Sequence, residues 1–266
     1  MSVRTSDLPA TRAVAAPAVA VPAAVRVEGV SQVFGRGAPA VLEGVDLTVA
    51  SGEFVCLLGA SGCGKSTLLN LLAGLLEPTA GRIEVSADRP ALMFQESALL
   101  PWLTAARNVE LALQARGAGR AERRREAERL LEVVNLAGQG GKRVHELSGG
   151  MRQRVALARA LAQDSDVLLM DEPFAALDAI TRDVLHQELT RVWAERELTV
   201  VFVTHNVREA VRLGQRVVLM GSRPGRIDRE WAIDIRHPRT IESPAVSALA
   251  AEITTELHRE ISRHGQ

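Results

Sequence analysis

Residues 59–66 have the types and the spacing to hold a chain of phosphates. They read Gly-Ala-Ser-Gly-Cys-Gly-Lys-Ser and fit the pattern G-x-x-x-x-G-K-[S/T]. An apolar run at residues 54–58 precedes them and a helix-like stretch at residues 67–75 follows, which is the context that a phosphate loop requires. Glycines let successive backbone N–H groups turn towards phosphates, Lys65 can reach the outer phosphates, and Ser66 can bind Mg²⁺. A chance match in a glycine-rich loop is the alternative, and the strand–loop–helix context argues against it.

Asp171 and Glu172 form a second group, at the end of the apolar run 167–170. A buried parallel strand delivers the residues at its C-terminal end to the edge where open α/β sheets bind ligands. There Asp171 would hold Mg²⁺ through water, and Glu172 would polarise the water that attacks a phosphate. Alone, the pair would read as a strand that ends in two solvated acids. Beside a phosphate loop, the catalytic interpretation is favoured.

A third group, at residues 147–154, reads Leu-Ser-Gly-Gly-Met-Arg-Gln-Arg. It opens a predicted helix that runs to about Ala162, with Ser148 placed as the N-cap. A Ser-Gly-Gly helix start exposes backbone N–H groups and can bind an anion. By itself, a Ser-Gly pair is ordinary cap and turn chemistry.

The elements that must position these groups follow an alternating pattern from Val25 onward. Short apolar or β-branched runs alternate with longer amphipathic ones, which is typical of parallel strands joined by helices. Several runs are apolar throughout, so we predict a layered α/β domain whose sheet is covered on both faces. The predicted strands are residues 25–30, 45–49, 54–58, 91–94, 167–170, 199–203 and 216–220.

Two further stretches are predicted to be helical. Residues 106–136 read as helix throughout and form a candidate inserted subdomain. The arginine-rich run 120–129 interleaves with glutamates at helical spacing, so a solvated, salt-bridged face is favoured over a nucleic-acid patch. Residues 244–264 read as one amphipathic helix. Its predicted apolar stripe is Leu249, Ile253, Leu257 and Ile261.

The amino-acid composition limits which classes of protein and which kinds of site remain possible. The chain has 266 residues, 47% of them hydrophobic, which suits one domain with an insertion. Its 32 basic and 32 acidic residues give a net charge of +0, which argues against a nucleic-acid partner. Cys56 and Cys63 are too few for a zinc site or a disulfide framework. Cys63 is expected to be a small filler whose thiol Lys65 could make reactive. No apolar run approaches the roughly 20 residues of a membrane span, so any membrane association is expected through a partner.

In this order and context, the three groups resemble the ATP-binding cassette (ABC) family from about Val25 to Gly225. The resemblance implies a P-loop NTPase fold of the ABC type, with a RecA-like α/β core, an antiparallel β subdomain and an inserted α-helical subdomain. It also implies ATP hydrolysis with Mg²⁺. The expected organisation is a disordered Ala/Pro-rich leader at 1–24, an ABC ATPase domain at 25–235 with a helical subdomain at about 97–163, and a C-terminal helical extension at 236–266.

The resemblance also implies roles for single residues. Glu172 is the expected catalytic base, His205 the residue that contacts the γ-phosphate, and Gln95 the residue that touches Mg²⁺ and water. Without the resemblance, a lone His or Gln would read as structural or as polar surface. Asp178 falls in the loop that crosses the dimer interface. Phe34 is expected to stack on adenine, with core packing as a nearly equal alternative.

The expected site residues fall into three sets. Those that would contact ATP in the chain's own site are Gly59, Ala60, Ser61, Gly62, Cys63, Gly64, Lys65, Ser66, Thr67 and Phe34. Those that would contact the ATP of a partner subunit form the signature, Ser148, Gly149, Gly150, Met151 and Gln153. Those that would hold Mg²⁺ are Ser66, Gln95 and Asp171. Ala175 and Ala176 stand where the family commonly has a small polar residue. This departure bears on the details of the dimer interface and leaves the family resemblance intact.

Within the family, the stretches 95–102, 170–178 and 223–226 resemble the nitrate, sulfonate and taurine importers. That resemblance implies a homodimer of ATPase subunits, two permease chains and an extracytoplasmic solute-binding protein, with this chain at the cytoplasmic face of the cell membrane. Aliphatic sulfonates are the expected cargo, and taurine, nitrate or a pyrimidine precursor are the alternatives. A non-transport ATPase lacks support, because neither long heptad arms nor a second cassette is present. A regulatory module without turnover is the remaining alternative, and Glu172 and His205 argue against it.

Overall fold

The structure is a computed structural model that describes residues 22–35, 37–175, 177–240 and 243–264. The strands are β1 (Ala23–Val33), β2 (Ala40–Ala50), β3 (Phe54–Gly59), β4 (Ala80–Val85), β5 (Ala91–Met93), β6 (Val167–Asp171), β7 (Thr199–Val203), β8 (Arg216–Gly221) and β9 (Arg226–Ala232). The helices are α1 (Lys65–Leu72), α2 (Ala105–Ala115), α3 (Arg120–Val133), α4 (Gly149–Leu161), α5 (Ala179–Arg196), α6 (Val207–Leu213) and α7 (Pro244–His264). The leader predicted at 1–24 lies outside the described residues up to residue 21, and β1 begins at Ala23.

The central sheet has six strands in the order β5-β6-β7-β3-β8-β9. All neighbours pair in parallel except β8 and β9. Every residue of β3 and β7 is buried, as is every residue of β6 except Asp171. Such continuous apolar strands are typical of a parallel sheet with both faces covered. Because β3, β6 and β7 run in one direction, the residues that follow them meet at one edge of the sheet.

A second, antiparallel sheet has the order β2-β1-β4. Its strands β1 and β2 alternate buried and exposed residues, and their buried valines pack with α1 and one face of the central sheet. Together, the two sheets and the helices form a layered architecture of mixed α/β type.

The strands β4 and β9 are absent from the sequence-based prediction. In β4, only Ile83 and Val85 are partly buried, and in β9, Trp231 alone is buried. Both strands lie at sheet edges, where one face and one set of backbone groups remain open. Their sequences therefore carry charged residues and lack the apolar runs that identify the inner strands.

The helices α2, α3 and α4 pack against one another beside the central sheet. The stretch 106–136 is not one helix, because the chain breaks between α2 and α3 at residues 116–119. Gly117 has φ of +84° there, a left-handed conformation that suits glycine and ends α2. The glutamates and arginines of α3 are mostly exposed and include the Arg129–Glu126 ion pair at 2.6 Å, in agreement with a solvated face.

The C-terminal helix α7 packs on α6 and β8. Its buried apolar face comprises Val246, Ala250, Ile253 and Leu257, whereas Ile261 of the predicted stripe is exposed. The difference arises because an α-helix repeats every 3.6 residues, so a strict spacing of four drifts around the helix. Among the described residues, no helix has the length and apolar character needed to cross a membrane.

Candidate functional site

The phosphate loop joins β3 to α1 and wraps around the ammonium group of Lys65. Gly64 has φ of +99°, and a Cβ atom there would lie 2.5 Å from Leu42 Cδ2, so this position requires glycine. Lys65 is 6% exposed, and its Nζ donates to the carbonyl oxygens of Gly59 and Ala60, each at 2.8 Å. A lysine ammonium has three N–H donors. The loop carbonyls therefore hold Lys65 at the centre of the cradle, where a phosphate would compete for the same donors.

Cys63 forms the floor of this loop and is 1% exposed. Burial raises the pKa of its thiol, against the lowering effect of the Lys65 charge and hydrogen bonds. The expectation that Lys65 would make this thiol reactive is therefore wrong, because desolvation outweighs the nearby cation. Gly225 lies directly behind the loop, and a Cβ atom on it would be 2.1 Å from the carbonyl oxygen of Cys63.

Ser66 and Asp171 come together across the start of α1 and the end of β6. The Ser66 hydroxyl hydrogen-bonds to the Asp171 carboxylate, and Ser66 itself is exposed to an incoming ligand. Burial raises the pKa of Asp171; the Ser66 bond opposes this rise, and the neighbouring charge of Glu172 adds to it. A hydroxyl and a carboxylate next to a phosphate loop are the oxygen ligands that Mg²⁺ prefers. The donor set thus fits the predicted metal.

Glu172 and His205 meet at the same edge. Glu172 has φ of +43°, and its backbone N–H donates to the Val203 carbonyl at 3.0 Å, which turns its side chain away from the path of β6. His205 Nδ1 lies 2.9 Å from Glu172 Oε2. The Glu172 side chain is 20% exposed and that of His205 63%, so water can reach both. The pair can orient a water molecule and accept its proton.

A buried polar network underlies His205 and is absent from the sequence-based prediction. Glu209 on α6 accepts a short hydrogen bond from the Thr204 hydroxyl and lies 2.7 Å from Nε2 of His186 on α5. The Thr204 hydroxyl also accepts the backbone N–H of Asn206 at 3.0 Å. All three network side chains are less than a tenth exposed. Nothing in the sequence marks these residues as partners, since only tertiary packing joins α5 to α6.

Gln95 follows β5, with its side chain exposed and its backbone held from α4. Its carbonyl oxygen accepts from Gln153 Nε2 at 2.8 Å. Arg159, six residues further along the same helix, donates to the carbonyls of Ala98 at 2.7 Å and Ser97 at 2.9 Å. Gln153 was expected to contact nucleotide on a partner; here its side chain is 6% exposed and bound to the loop that carries Gln95. Arg159 thus also holds the segment after β5, and no sequence motif predicts this role.

The signature opens α4 at the surface. The Ser148 hydroxyl caps the helix by accepting the Met151 N–H at 3.2 Å, and Ser148 and Gly149 are exposed. Gly150 packs so closely on the start of α5 that a Cβ atom there would lie 2.8 Å from Thr181 Cγ2. Asp178 caps α5 through the Thr181 N–H at 2.9 Å, and these bonds lower the pKa of its exposed carboxyl. The signature and the loop of Asp178 thus form one exposed surface.

Phe34 is 49% exposed, which excludes the alternative that its ring fills the core. Ala60, Ser61 and Gly62 are at the surface of the phosphate loop, and Thr67 is half-buried in the first turn of α1. Ala176, two residues before Asp178, lies outside the described residues. The predicted residues 59–67 thus lie together between β3 and the first turn of α1, and Phe34 and Gln95 are exposed at the protein surface.

Comparison with known proteins identifies the family. The profile of the family described as ABC transporter matches residues 42–175, half of the chain, which include the phosphate loop, the signature and the acid pair. This chain belongs to the ABC transporter ATPases. The cassette is 46% identical over 231 residues to the taurine import ATP-binding protein TauB of Burkholderia pseudomallei (strain K96243), covering 84% of this chain and 88% of that protein. It is 44% identical over 216 residues to the nitrate import ATP-binding protein NrtD of Synechocystis sp. (strain PCC 6803), covering 79% of this chain and 80% of that protein.

The fold agrees with this assignment. The dimeric, post-hydrolysis structure of the ATP-binding cassette MJ0796 bound to ADP and Pi superposes with a TM-score of 0.72 at 35% identity. The match covers 80% of this chain and 100% of that one. The chain is therefore an ABC-type ATP hydrolase of the kind that powers transport, related to the nitrate, sulfonate and taurine group.

Proposed function

We propose that this ABC ATPase energises an importer of aliphatic sulfonates, and that it works as a homodimer beneath two permease chains at the cytoplasmic face of the cell membrane. An extracytoplasmic solute-binding protein would deliver the cargo to the permease, and no nucleic acid is involved. The observation that carries the enzymatic part is the convergence of Lys65, Asp171, Glu172 and His205 at one sheet edge.

The proposed division of labour at this edge follows from charge and exposure. The backbone of residues 59–66, with Lys65, would bind the phosphates of ATP, and Phe34 would cover the adenine. Ser66, Asp171 and Gln95 would hold Mg²⁺, which when bound neutralises charge on the phosphates. Glu172 would take a proton from the attacking water while His205 keeps that carboxylate in place.

The dimer is proposed because the signature of a single chain is exposed to solvent at Ser148 and Gly149. Ser148 and Gly149 present a helix N-terminus to solvent, and Asp178 with the 80% exposed Ile180 lies beside it. The solved relative MJ0796 is described as dimeric with ADP and Pi bound. In our proposal, each signature completes the phosphate site of the other subunit, and Asp178 crosses the interface.

The permease is proposed to dock beside Gln95. Trp102 is 66% exposed and Phe94 43%, although large aromatic side chains are usually buried at least in part. Exposed aromatic residues of this kind are enriched in protein–protein interfaces. Leu99 is buried at 8% and instead closes the core beneath this surface. The docking surface is thus Phe94, Ala98, Leu100 and Trp102, and its shape would select the permease and thereby the cargo.

Cargo identity is tested by growth. Taurine carries a sulfonate group, so the taurine import relative supports a cargo of the sulfonate class. The nitrate import relative supports nitrate as the alternative cargo. A deletion strain would be grown on alkanesulfonates, taurine or nitrate as the single sulfur or nitrogen source, with wild type or Lys65→Ala as the complementing gene. We expect loss of growth on alkanesulfonates, rescued only by wild type. Failure on taurine or nitrate alone would reassign the cargo and leave the ATPase mechanism intact.

A further inference from the structure

The buried face of α7 ends on a carboxylate. Val246, Ala250, Ile253 and Leu257 pack into the core at the spacing of one helical face. Glu260 continues that face and is 2% exposed. Burying an acid costs far more than burying an apolar side chain unless the acid makes specific bonds. The partner of Glu260 therefore indicates what this end of the helix does.

One partner of Glu260 lies in the loop behind the nucleotide site. Glu260 Oε1 accepts the backbone N–H of Ser222 at 2.7 Å. Ser222 opens the connection between β8 and β9, in which Arg223 has φ of +56°. A left-handed conformation is unfavourable for a residue with a side chain. The connection therefore depends on bonds from outside itself.

The other end of the same connection supports the phosphate loop. The Gly225 N–H donates to Val41 at 2.9 Å, and its carbonyl accepts from Glu43 at 3.0 Å. Gly225 packs directly against the carbonyl of Cys63, with no room for a Cβ atom between them. Burial dominates the raised pKa of the Cys63 thiol, and the negative charge of Glu260 adds to that rise. The Glu260 carboxylate thus acts on the phosphate loop in two ways, through its charge and through the backbone connection from Ser222 to Gly225.

We propose that Glu260 is a positioning residue for the phosphate loop. It holds Ser222, the connection holds Gly225 against Cys63, and the backbone N–H groups of residues 59–66 are thereby kept in their phosphate-binding orientation. The C-terminal extension then sets the affinity for a nucleoside triphosphate without touching it. This inference rests on the proposed nucleotide site. Its physical basis is preorganisation, because a looser loop must lose more conformational entropy when it binds.

The test compares three variants of the full chain. Glu260→Gln keeps the reach of the acceptor, Glu260→Asp keeps the charge but shortens the reach, and Glu260→Ala removes both. The dissociation constant of Mg²⁺-ATP would be measured by calorimetry, and kcat at saturating ATP in parallel. The loss of one hydrogen bond predicts about a three- to tenfold weaker Kd for the Asp and Ala variants, with Gln within about twofold of wild type and kcat little changed.

Glu252→Ala is the matched control, because Glu252 is on the same helix and accepts from the Trp231 indole at 2.9 Å, away from the Ser222 connection. It should leave Kd unchanged. The proposal is overturned if folded Glu260→Asp binds ATP as tightly as wild type, or if Glu252→Ala weakens binding equally. Should Glu260→Ala fail to fold, the Asp and Gln pair decides. Absence of ATP binding by the wild-type chain would instead refute the proposed nucleotide site.

Discussion

His205 Nδ1 lies 2.9 Å from Glu172 Oε2, although 33 residues separate the two in the chain. The contact exists because β6 and β7 are neighbours in the sheet and end at the same edge. Neither side chain is buried deeply enough to lose access to water. An acid and an imidazole in this arrangement can share the proton of an attacking water, which leads directly to the first test.

We expect Glu172→Gln to bind ATP with wild-type affinity and to lose about 10²- to 10⁴-fold in kcat, because a general base is removed while the phosphate cradle is retained. ATP-bound dimers should accumulate. Phosphate release and size-exclusion chromatography with ATP would measure both effects. The control is Glu195→Gln, whose carboxylate is 58% exposed and pairs with Arg191 far from the site. Hydrolysis by Glu172→Gln at the wild-type rate would exclude it as the base.

Mixed dimers test whether the signature acts in trans. In a dimer of one Lys65→Ala chain and one Ser148→Arg chain, one composite site receives both defects and the other receives neither. Hydrolysis should therefore recover to about half of the wild-type rate on mixing, if the two sites act independently. Differently tagged chains purified in tandem would guarantee the mixed species. A mixed dimer as inactive as its parents would mean that both groups act within one chain.

Glu209→Ala should lower both stability and turnover. It leaves the buried His186 and Thr204 without their shared partner, and an unpaired buried polar group costs about 1–3 kcal/mol. Because Thr204 precedes His205, we also expect a lower kcat with a nearly unchanged Kd for ATP. Thermal unfolding and steady-state kinetics would be compared with the exposed Glu195→Ala. An unchanged kcat in folded Glu209→Ala would restrict this network to a role in packing.

Gly225→Ala should weaken ATP binding strongly. The added Cβ would lie 2.1 Å from the Cys63 carbonyl oxygen, so either the connection or the phosphate loop must move. Gly141→Ala is the matched substitution, since no atom lies within 4 Å of its added Cβ. Calorimetry on both variants measures the difference. Equal ATP affinities for Gly225→Ala and Gly141→Ala would mean that ATP binding does not depend on the packing of Gly225 against the phosphate loop.

The thiols of Cys56 and Cys63 should resist alkylation in the native chain at neutral pH. Burial raises the pKa of both, well above the ordinary value for Cys56, so the reactive thiolate forms only at a pH above the range of a free thiol. For the same reason stability should fall as pH rises through the ordinary thiol range, because the unfolded chain loses these protons first. Iodoacetamide labelling followed by mass spectrometry, with the denatured chain as control, measures the first effect. Rapid native labelling would contradict the burial.

Much of the central sheet is predictable from sequence because its strands are apolar on both faces. The strands at residues 54–59 and 199–203 and the helix at residues 244–264 are evident from apolar pattern alone. Edge strands such as β4 are not, since only one of their faces contacts the core. The phosphate loop and the acid pair are equally legible, because their chemistry requires fixed residue types at fixed spacing. Partners such as Glu209 with His186, or Glu260 with Ser222, depend on tertiary packing and leave no local pattern.

The two bonds from α4 to the segment after β5 have a mechanical consequence. Gln153 grips residue 95 and Arg159 grips residues 97 and 98, and the two side chains are about 9 Å apart along the helix axis at 1.5 Å per residue. A segment hydrogen-bonded at one point could rotate about that bond. Because this segment is bonded to α4 at two points, it must follow every movement of the helix, whose first turn follows Ser148. Helix and segment therefore move as one rigid body, so a displacement of Ser148 is passed directly to the segment that carries Gln95 and Ala98.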